Sequence, residues 1–313
     1  MKRNDDIFIM LPSFHEPDLM DTVISAYENA GSPENVFIGV CNQKIYGEFE
    51  DFSMFKNVAV SNITSPSPRG LGIAMLEALY LWKDQYYVLR VDAHTVFVKN
   101  WDILLKENYE QIEKETEHNK IIISHRPSTY EKGKNGEKTF QTKRYDYRHG
   151  VDIQRELLTR FDSSYTISSP EEDPDPSKNY VEHFLIAAGE VFSTHDYFFE
   201  VMPDPRLIFF GEEYVYPMRA WTRGFRIFSI HDNISYTLHK TPEYLKSVEI
   251  DFVTESKKFG ALAPLSHSHR LFFKEILMGN EYGYYGATDP DMYDKYIEKL
   301  GFNYRENIKD LYC

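Results

Sequence analysis

An aspartate and a histidine close a β-prone run in the first third of the chain. In residues 86–94, apolar positions lead to Asp92 and His94, which are two residues apart. Side chains at this spacing leave a strand on the same side, so one cation could contact both. A hard divalent cation held at a strand end can bind the oxygens of a diphosphate. The pair therefore predicts a metal-assisted site for a phosphorylated ligand.

A metal site needs more than this pair, because many strand ends carry a hydrogen-bonded aspartate and histidine. His239 follows another apolar run, residues 234–238, and is the candidate third ligand. Ligands from two separate strand ends suit a metal that keeps positions open for substrate. Five other histidines compete for this role, and they are His125, His183, His231, His267 and His269.

Two adjacent glutamates, Glu212 and Glu213, follow Phe209-Phe210-Gly211. The glycine permits a tight turn, and the paired aromatics favour its burial. Two neighbouring carboxylates cannot both be buried without cost, so we expect one of them to face a ligand or a cation. A helix N-terminus, where acidic residues are favourable, explains the same pair without any site.

Polar residues also follow the first two predicted strands, where parallel sheets bind nucleotides. An arginine and a glycine at the start of a predicted helix could add a cation and backbone donors for a diphosphate. The candidate nucleotide-binding residues are Pro12, Ser13, Phe14, Gln43, Arg69 and Gly70.

These residues require a sheet that brings strand ends together. The predicted strands are 7–11, 36–40, 58–63, 86–91 and 121–124, and the predicted helices are 17–31, 70–83 and 101–117. Their alternation predicts an α/β fold with a mostly parallel sheet covered on both faces. Residues 126–180 lack such a pattern, and we expect a variable acceptor-side region or surface decoration there. We expect residues 1–240 to form the catalytic domain and 241–313 a helical C-terminal lobe.

Composition excludes some classes of protein. The 313 residues carry 35 Lys and Arg against 49 Asp and Glu, a net charge of −14, which disfavours nonspecific nucleic-acid binding. A local basic groove stays open, formed by Lys132, Lys134, Lys138, Lys143, Arg144 and Arg148. Cys41 and Cys313 form no disulfide framework, and no run is long enough for a membrane span or a signal peptide. We therefore expect a cytoplasmic protein.

Taken in order, several motifs resemble one enzyme family. They are Val91-Asp92-Ala93-His94, Ala188-Gly189-Glu190-Val191-Phe192, Phe210-Gly211-Glu212-Glu213, and Arg219-Ala220-Trp221-Thr222-Arg223-Gly224 with His239 downstream. The pattern resembles the cytosolic GlcNAc-transferases that modify hydroxyproline on Skp1, with their bacterial and viral relatives. It is more distantly similar to the polypeptide GalNAc-transferases.

The resemblance implies a GT-A (Rossmann-like) fold, a UDP-sugar donor and transfer with retention at the anomeric carbon. It implies Mn²⁺ or Mg²⁺ bound by Asp92, His94 and His239. Pro12, Ser13 and Phe14 would lie against the uridine, Gly189 would belong to the donor site, and Glu212 would face the donor sugar. The chain departs from the family at Met75, where an arginine is usual, and Arg69 is the candidate substitute for its charge.

These observations predict a metal-dependent, retaining glycosyltransferase that moves a sugar, GlcNAc by resemblance, from UDP to an acceptor hydroxyl. Glu213 could assist as base or position the acceptor, and the sequence does not separate its role from that of Glu212. The acceptor hydroxyl stays open among protein, glycan and modified DNA, and so does the oligomeric state. Two alternatives remain: a transferase acting on hydroxymethylated bases of viral DNA, and a catalytically silent UDP-sugar-binding module.

Overall fold

The computed structural model describes residues 4–124, 127–133, 135–141, 177–187, 189–208, 211–239, 275–301 and 303–307. The strands within them are β1 Ile7–Phe14, β2 Val36–Lys44, β3 Val58–Thr64, β4 Tyr87–Val91, β5 Thr95–Phe97, β6 Ile121–Ser124, β7 Ser128–Lys132, β8 Lys138–Gln141, β9 Tyr180–His183, β10 Glu190–Thr194, β11 Arg226–Ile230 and β12 Ser235–Leu238. The helices are α1 Leu19–Asn29, α2 Leu71–Leu79, α3 Trp101–Thr116, α4 His195–Glu200, α5 Glu212–Trp221, α6 Pro290–Leu300 and α7 Tyr304–Asn307. A short 3₁₀ turn, Pro33–Asn35, precedes β2.

Eight strands form the central sheet, in the order β3-β2-β1-β4-β10-β6-β11-β9. The β1–β2, β1–β4, β2–β3 and β6–β11 pairs are parallel, whereas β10 runs antiparallel to β4 and β6, and β9 runs antiparallel to β11. Six strands therefore share one direction, which confirms the predicted mostly parallel α/β sheet.

The central sheet separates two hydrophobic cores. Along β1, Ile7 and Ile9 point into the core that includes residues of α1 and α3, whereas Phe8 and Met10 point into the core with α2, α4 and α5. Both faces of the strand are covered, which explains why its sequence reads as an unbroken apolar run.

The first strand is longer than its sequence predicts, because Pro12 lies inside it rather than ending it. β1 pairs with β2 along its whole length but with β4 only from Ile7 to Met10. Among the described residues no strand pairs with this side of β1 beyond Met10, so the missing N–H of Pro12 interrupts no ladder there. The extension carries Ser13 and Phe14 to the edge where the site lies.

A second, four-stranded sheet has the order β5-β12-β7-β8. It contains β5, which follows His94, and β12, which precedes His239, and the two strands pair antiparallel. β7 and β8 form a hairpin within residues 128–141, a stretch whose sequence predicts no regular structure. The rest of the predicted variable region, residues 142–176, lies outside the described residues.

The described part of the C-terminal segment packs on the central sheet. Tyr293, Tyr296 and Leu300 of α6 belong to the same hydrophobic core as Val215 and Met218 of α5. The predicted helical character holds for α6 and α7, while residues 241–274 lie outside the described residues, and the proposed domain division stays a prediction. No helix among the described residues combines the length and apolar character that crossing a bilayer requires.

Candidate functional site

The candidate site lies at the carboxyl edge of the central sheet, where β4 ends and β10 begins. Val91 of β4 pairs with Glu190 of β10, so the residues flanking them, Asp92 and Gly189, come side by side. A Cβ atom added at Gly189 would lie 3.7 Å from Asp92 Oδ2 and 3.0 Å from Pro127 Cδ. Glycine at this position therefore keeps space open beside the carboxylate.

Asp92 and His94 face each other across the turn after β4. His94 Nε2 lies 4.0 Å from Asp92 Oδ2, and the aspartate side chain is 32 % exposed. His94 Nδ1 lies 3.0 Å from Oε2 of Glu16, a buried residue just before α1. With Nδ1–H donated to this carboxylate, the Nε2 lone pair is directed to the Asp92 side.

This pair fits a divalent cation. Atoms about 2.1 Å from such an ion lie about 3 to 4 Å apart, and the observed separation of Asp92 Oδ2 and His94 Nε2 falls in that range. A histidine ligand that donates its other ring N–H to a carboxylate is the usual arrangement in metal sites, and Glu16 supplies that carboxylate.

The third predicted ligand, His239, reaches the same neighbourhood through its backbone. Leu238 N donates to His94 O at 3.2 Å, so the end of β12 lies beside the Asp92–His94 turn. The His239 imidazole, however, is 59 % exposed and contacts Glu131, with 3.4 Å between Nδ1 and Oε1. Within the described part of the chain no three His, Cys, Asp or Glu side chains are grouped for a metal, so His239 as ligand stays a prediction.

Arg90, two residues before Asp92 on β4, is a buried cation in this site. Its Nη2 donates to Glu212 Oε1 at 3.1 Å and lies 3.5 Å from Asp92 Oδ1. Burial by itself would lower the pKa of Arg90, but the carboxylates of Glu212, Asp92 and Glu213 raise it. The guanidinium is therefore charged and lies among three carboxyl groups.

The two adjacent glutamates take different positions at the N-terminus of α5. Glu212 is buried against Arg90, whereas Glu213 is partly exposed and accepts a hydrogen bond from Gly211 N at 3.3 Å. Burial raises the pKa of Glu212 to about 8, although Arg90 partly offsets it. Burial also raises the pKa of Glu213. The inward carboxyl thus faces a protein cation, while its neighbour accepts a hydrogen bond from the backbone at the start of the helix.

The ends of β1 and β2 offer polar and aromatic surface. Ser13 Oγ and Asn42 Oδ1, on paired residues, are buried and have no hydrogen-bond partner among the described residues. Phe14 packs edge-on against His15, with ring centroids 5.1 Å apart, and His15 lies 5.5 Å from the exposed ring of Tyr46. Buried polar atoms and an exposed ring at this edge are suited to a nucleoside.

The predicted phosphate-binding turn has a further structural role. Gln43 accepts from Arg69 N at 3.2 Å, and its Nε2 lies 3.4 Å from Gly70 O. Gly70 has φ +97°, a left-handed backbone conformation that suits glycine. The next two N–H groups of α2 donate to the carbonyls of Ile208 and Leu207 at 2.7 and 2.8 Å. These two donors are therefore bound within the protein, while the Arg69 side chain is exposed.

Two residues of the site, Glu16 and Arg90, were not predicted as functional from the sequence. The sequence could have pointed to Arg90, because it precedes Asp92 at the same two-residue spacing that separates Asp92 from His94. Glu16 had no such signal, since it lies 78 positions before His94 and only the fold brings its carboxylate to that imidazole.

Comparison with known proteins identifies the class. Residues 50–273 match the family model "Glycosyltransferase (GlcNAc)", which covers more than two thirds of the chain. The chain belongs to this family of glycosyltransferases, which confirms the predicted class. Skp1-type specificity stays a prediction. No curated protein matches the chain at a significant level.

Two solved structures are similar to this chain. A crystal structure of GalNAc-T7 with UDP, GalNAc and Mn²⁺ aligns with 98 % of this chain at a TM-score of 0.52 and 13 % sequence identity. The match covers 57 % of the GalNAc-T7 chain, so the present chain spans little more than half of that length. TarS of S. aureus in complex with UDP-GlcNAc aligns over 95 % of this chain and 80 % of its own, with a TM-score of 0.44 and 14 % identity. The alignment with GalNAc-T7 confirms the predicted GT-A fold.

Proposed function

We propose that the protein is a metal-dependent, retaining glycosyltransferase that moves a sugar, GlcNAc in the first instance, from a UDP-sugar to an acceptor hydroxyl. The observation that carries the proposal is the geometry of Asp92 and His94. Asp92 Oδ2 and His94 Nε2, both atoms that can bind a metal, lie 4.0 Å apart at the carboxyl edge of the sheet, and Glu16 orients the imidazole. Membership of the glycosyltransferase family supports the same reaction class.

Different residues of the site would bind the uridine, the cation and the sugar of the donor. Ser13 and Phe14 would contact the uridine, for which a buried hydroxyl and an aromatic edge are suitable partners. Asp92 and His94, with His239 as the third ligand, would hold Mn²⁺ or Mg²⁺, which neutralises charge on the departing UDP. Glu212, at the N-terminus of α5, would face the donor sugar.

Retention needs no protein nucleophile in this scheme. The acceptor hydroxyl attacks the anomeric carbon from the face that UDP leaves, and the leaving phosphate oxygen takes the proton. Glu213 is partly exposed, unlike Glu212, so it is the better placed of the two to position an acceptor. Asp92 and His94 contribute by binding and orientation, since neither has to transfer a proton.

A polynucleotide acceptor is less well supported than a protein or glycan hydroxyl. Of the six basic residues that could form a groove, Lys132 bonds Asp18 and Lys138 bonds Asp21 at 3.3 Å. The other four lie outside the described residues. The two described lysines are thus paired with acidic residues of this chain, which reduces their attraction for phosphates.

The test is release of UDP from a panel of UDP-sugars with and without Mn²⁺, in the absence of acceptor. We expect slow Mn²⁺-stimulated hydrolysis of at least one donor, and we expect Asp92→Ala and His94→Ala each to abolish it. Asp196→Ala and His118→Ala are matched controls, because both residues belong to other parts of the fold, Asp196 exposed and His118 half-buried. Full activity in either Asp92→Ala or His94→Ala would refute the metal assignment.

The same assay separates the enzyme from a silent module. UDP binding measured by calorimetry with no hydrolysis of any donor, with or without acceptor, would favour a binding module instead. NMR of the transferred sugar then reports the anomeric configuration, and inversion would overturn the retaining mechanism. Activity on duplex DNA that falls steeply with rising salt would favour the hypothesis of a polynucleotide acceptor.

A further inference from the structure

One nitrogen of Arg90 links two carboxylates that have different tasks in the proposed reaction. Nη2 lies 3.1 Å from Oε1 of Glu212 and 3.5 Å from Oδ1 of Asp92. The aspartate is a metal-ligand candidate on the sheet edge, and the glutamate begins α5 on the sugar side of the site. The guanidinium therefore lies between the two halves of the donor site.

We propose that Arg90 is a positioning residue that fixes Asp92 and Glu212 relative to each other and so aligns the cation end of the donor site with its sugar end. This inference rests on the proposed function, since both carboxylates take their tasks from it. Arg90 itself is almost fully buried, so it acts through these two side chains rather than by touching the donor.

The geometry at Asp92 shows what the arginine contributes. Its Oδ1 is directed to Arg90, while Oδ2 lies on the side of His94 and Gly189. Holding one oxygen leaves the other directed into the space where a cation would sit. Glu16 orients His94 on the opposite side, so Asp92 and His94 each have a buried partner.

Glu212 is held just as firmly. Gly211 has φ +110°, which glycine adopts readily, and it starts α5 so that the Glu212 side chain turns inward to the guanidinium. A carboxyl fixed both by a helix start and by an arginine has little rotational freedom. The bond to Arg90 therefore sets the direction from which Glu212 meets a bound sugar.

Only one of the three guanidinium nitrogens of Arg90 has a hydrogen-bond partner among the described residues, and that partner is a carboxylate. Its Nε and Nη1 atoms are buried and have no hydrogen-bond partner among the described residues. The other four residues of β4 are apolar or aromatic and fill the two cores. Arg219 has the same two unpaired atoms, but its bonded nitrogen faces carbonyls, whereas the bonded nitrogen of Arg90 faces the carboxylates of Asp92 and Glu212.

The experiment compares Arg90→Lys with Glu212→Gln and with the double variant. Lysine keeps the charge but lacks the planar group, so we expect kcat for Mn²⁺-stimulated donor hydrolysis to fall about tenfold or more with a smaller change in KM. Because Arg90 acts through Glu212 as well as Asp92, the double variant should lose less than the product of the two single losses, and the part that remains comes from Asp92. Additive losses, or Arg90→Lys activity within about twofold of wild type, would overturn the proposal.

A second measurement follows the cation without turnover. Free Mn²⁺ measured by EPR in the presence of UDP should show affinity about threefold to tenfold weaker for Arg90→Lys, but within about twofold of wild type for Glu212→Gln. Unchanged Mn²⁺ affinity in Arg90→Lys would contradict the alignment of Asp92.

The control is Arg219→Lys, a change at another fully buried arginine, which lies in α5. It should lower the melting temperature without weakening Mn²⁺ binding. If the proposed function itself is wrong, the result differs, because wild type and Asp92→Ala would then give the same donor hydrolysis and the same Mn²⁺ binding.

Discussion

Two buried arginines in this fold lie in opposite surroundings. Arg90 contacts carboxylates at the site, whereas Arg219, seven residues into the helix that starts at Glu212, donates to main-chain carbonyls. The Nη2 atom of Arg219 lies 2.9 Å from Met202 O and 3.1 Å from Tyr284 O. Its guanidinium also packs near the rings of Tyr216 and Tyr285, at 5.3 and 5.5 Å from the ring centroids.

The difference appears in their pKa values. Burial lowers the pKa of Arg219, because neutral carbonyls and rings replace water and the nearby charge of Asp204 offsets this only in part. The pKa of Arg90 is raised, because Glu212, Asp92 and Glu213 outweigh the same burial. Arg219 thus connects the backbone at Met202 and Tyr284 to α5, while Arg90 pairs with the carboxylates of the site. Burial of an arginine does not by itself mark a functional site, whereas the groups around it do.

The largest expected effect comes from removing the charge of Asp92, one of the carboxylates around Arg90. Asp92→Asn keeps the shape of the side chain but loses the anionic ligand, so kcat for Mn²⁺-dependent donor hydrolysis should fall about 100-fold or more. Steady-state UDP release at saturating Mn²⁺ measures it. A variant that stays within about tenfold of wild type would break the assignment of Asp92 as a ligand.

Glu212 should make stability depend on pH in the metal-free protein. Its pKa rises from an ordinary value of 4.5 to about 8 in the fold, so its contribution to the free energy of unfolding is fully present below pH 4.5 and is lost as pH rises through about 8. The loss is on the order of a few kcal/mol. Urea unfolding across this range should show a steeper decline for wild type than for Glu212→Gln. Parallel curves would contradict the raised pKa.

Arg219 should affect stability and leave the chemistry unchanged. Arg219→Met removes two hydrogen bonds to carbonyls and the packing against Tyr216, and should lower the free energy of unfolding by about 2 kcal/mol. Chemical denaturation measures the loss, and kcat per folded molecule should stay within about twofold of wild type. A large fall in kcat would remove the contrast between the two arginines.

The smallest expected effect belongs to Glu16. Glu16→Gln keeps an acceptor for the His94 Nδ1–H but removes the negative charge, so Mn²⁺ affinity should weaken about tenfold or less. EPR titration with Mn²⁺ and UDP measures it, and Glu48→Gln, a change at an exposed glutamate in the loop after β2, is the control. Unchanged affinity would mean that the carboxylate does not orient the imidazole.

Much of the fold was predictable from local pattern. Apolar runs such as that of β4 and helical periodicities such as that of α3 specify elements directly, because burial on both faces demands continuous apolar strands. The β7–β8 hairpin was not predictable, since its strands are polar and short and form only by pairing with β12. The end of β1 was also wrongly predicted at Pro12, because only tertiary pairing shows that the contact of β4 with β1 ends at Met10.

The candidate site was predictable in part. The two-residue spacing of Asp92 and His94 at a strand end predicts a shared site, and in the structure the two side chains face each other. Which of the two glutamates turns inward depended on Arg90, whose role only packing shows. The orientation of His239 towards Glu131 was likewise beyond the sequence, because the two residues are 108 positions apart.

The amino-acid order by itself determined the parallel α/β sheet, the family and the identity of the ligand candidates, since these depend on residue type and short-range spacing. Tertiary structure decided which charges meet: Glu16 with His94, and Arg90 with both Glu212 and Asp92. The physical reason is that electrostatic pairing depends on distance in space, and strands far apart in the chain become neighbours only after the sheet has formed.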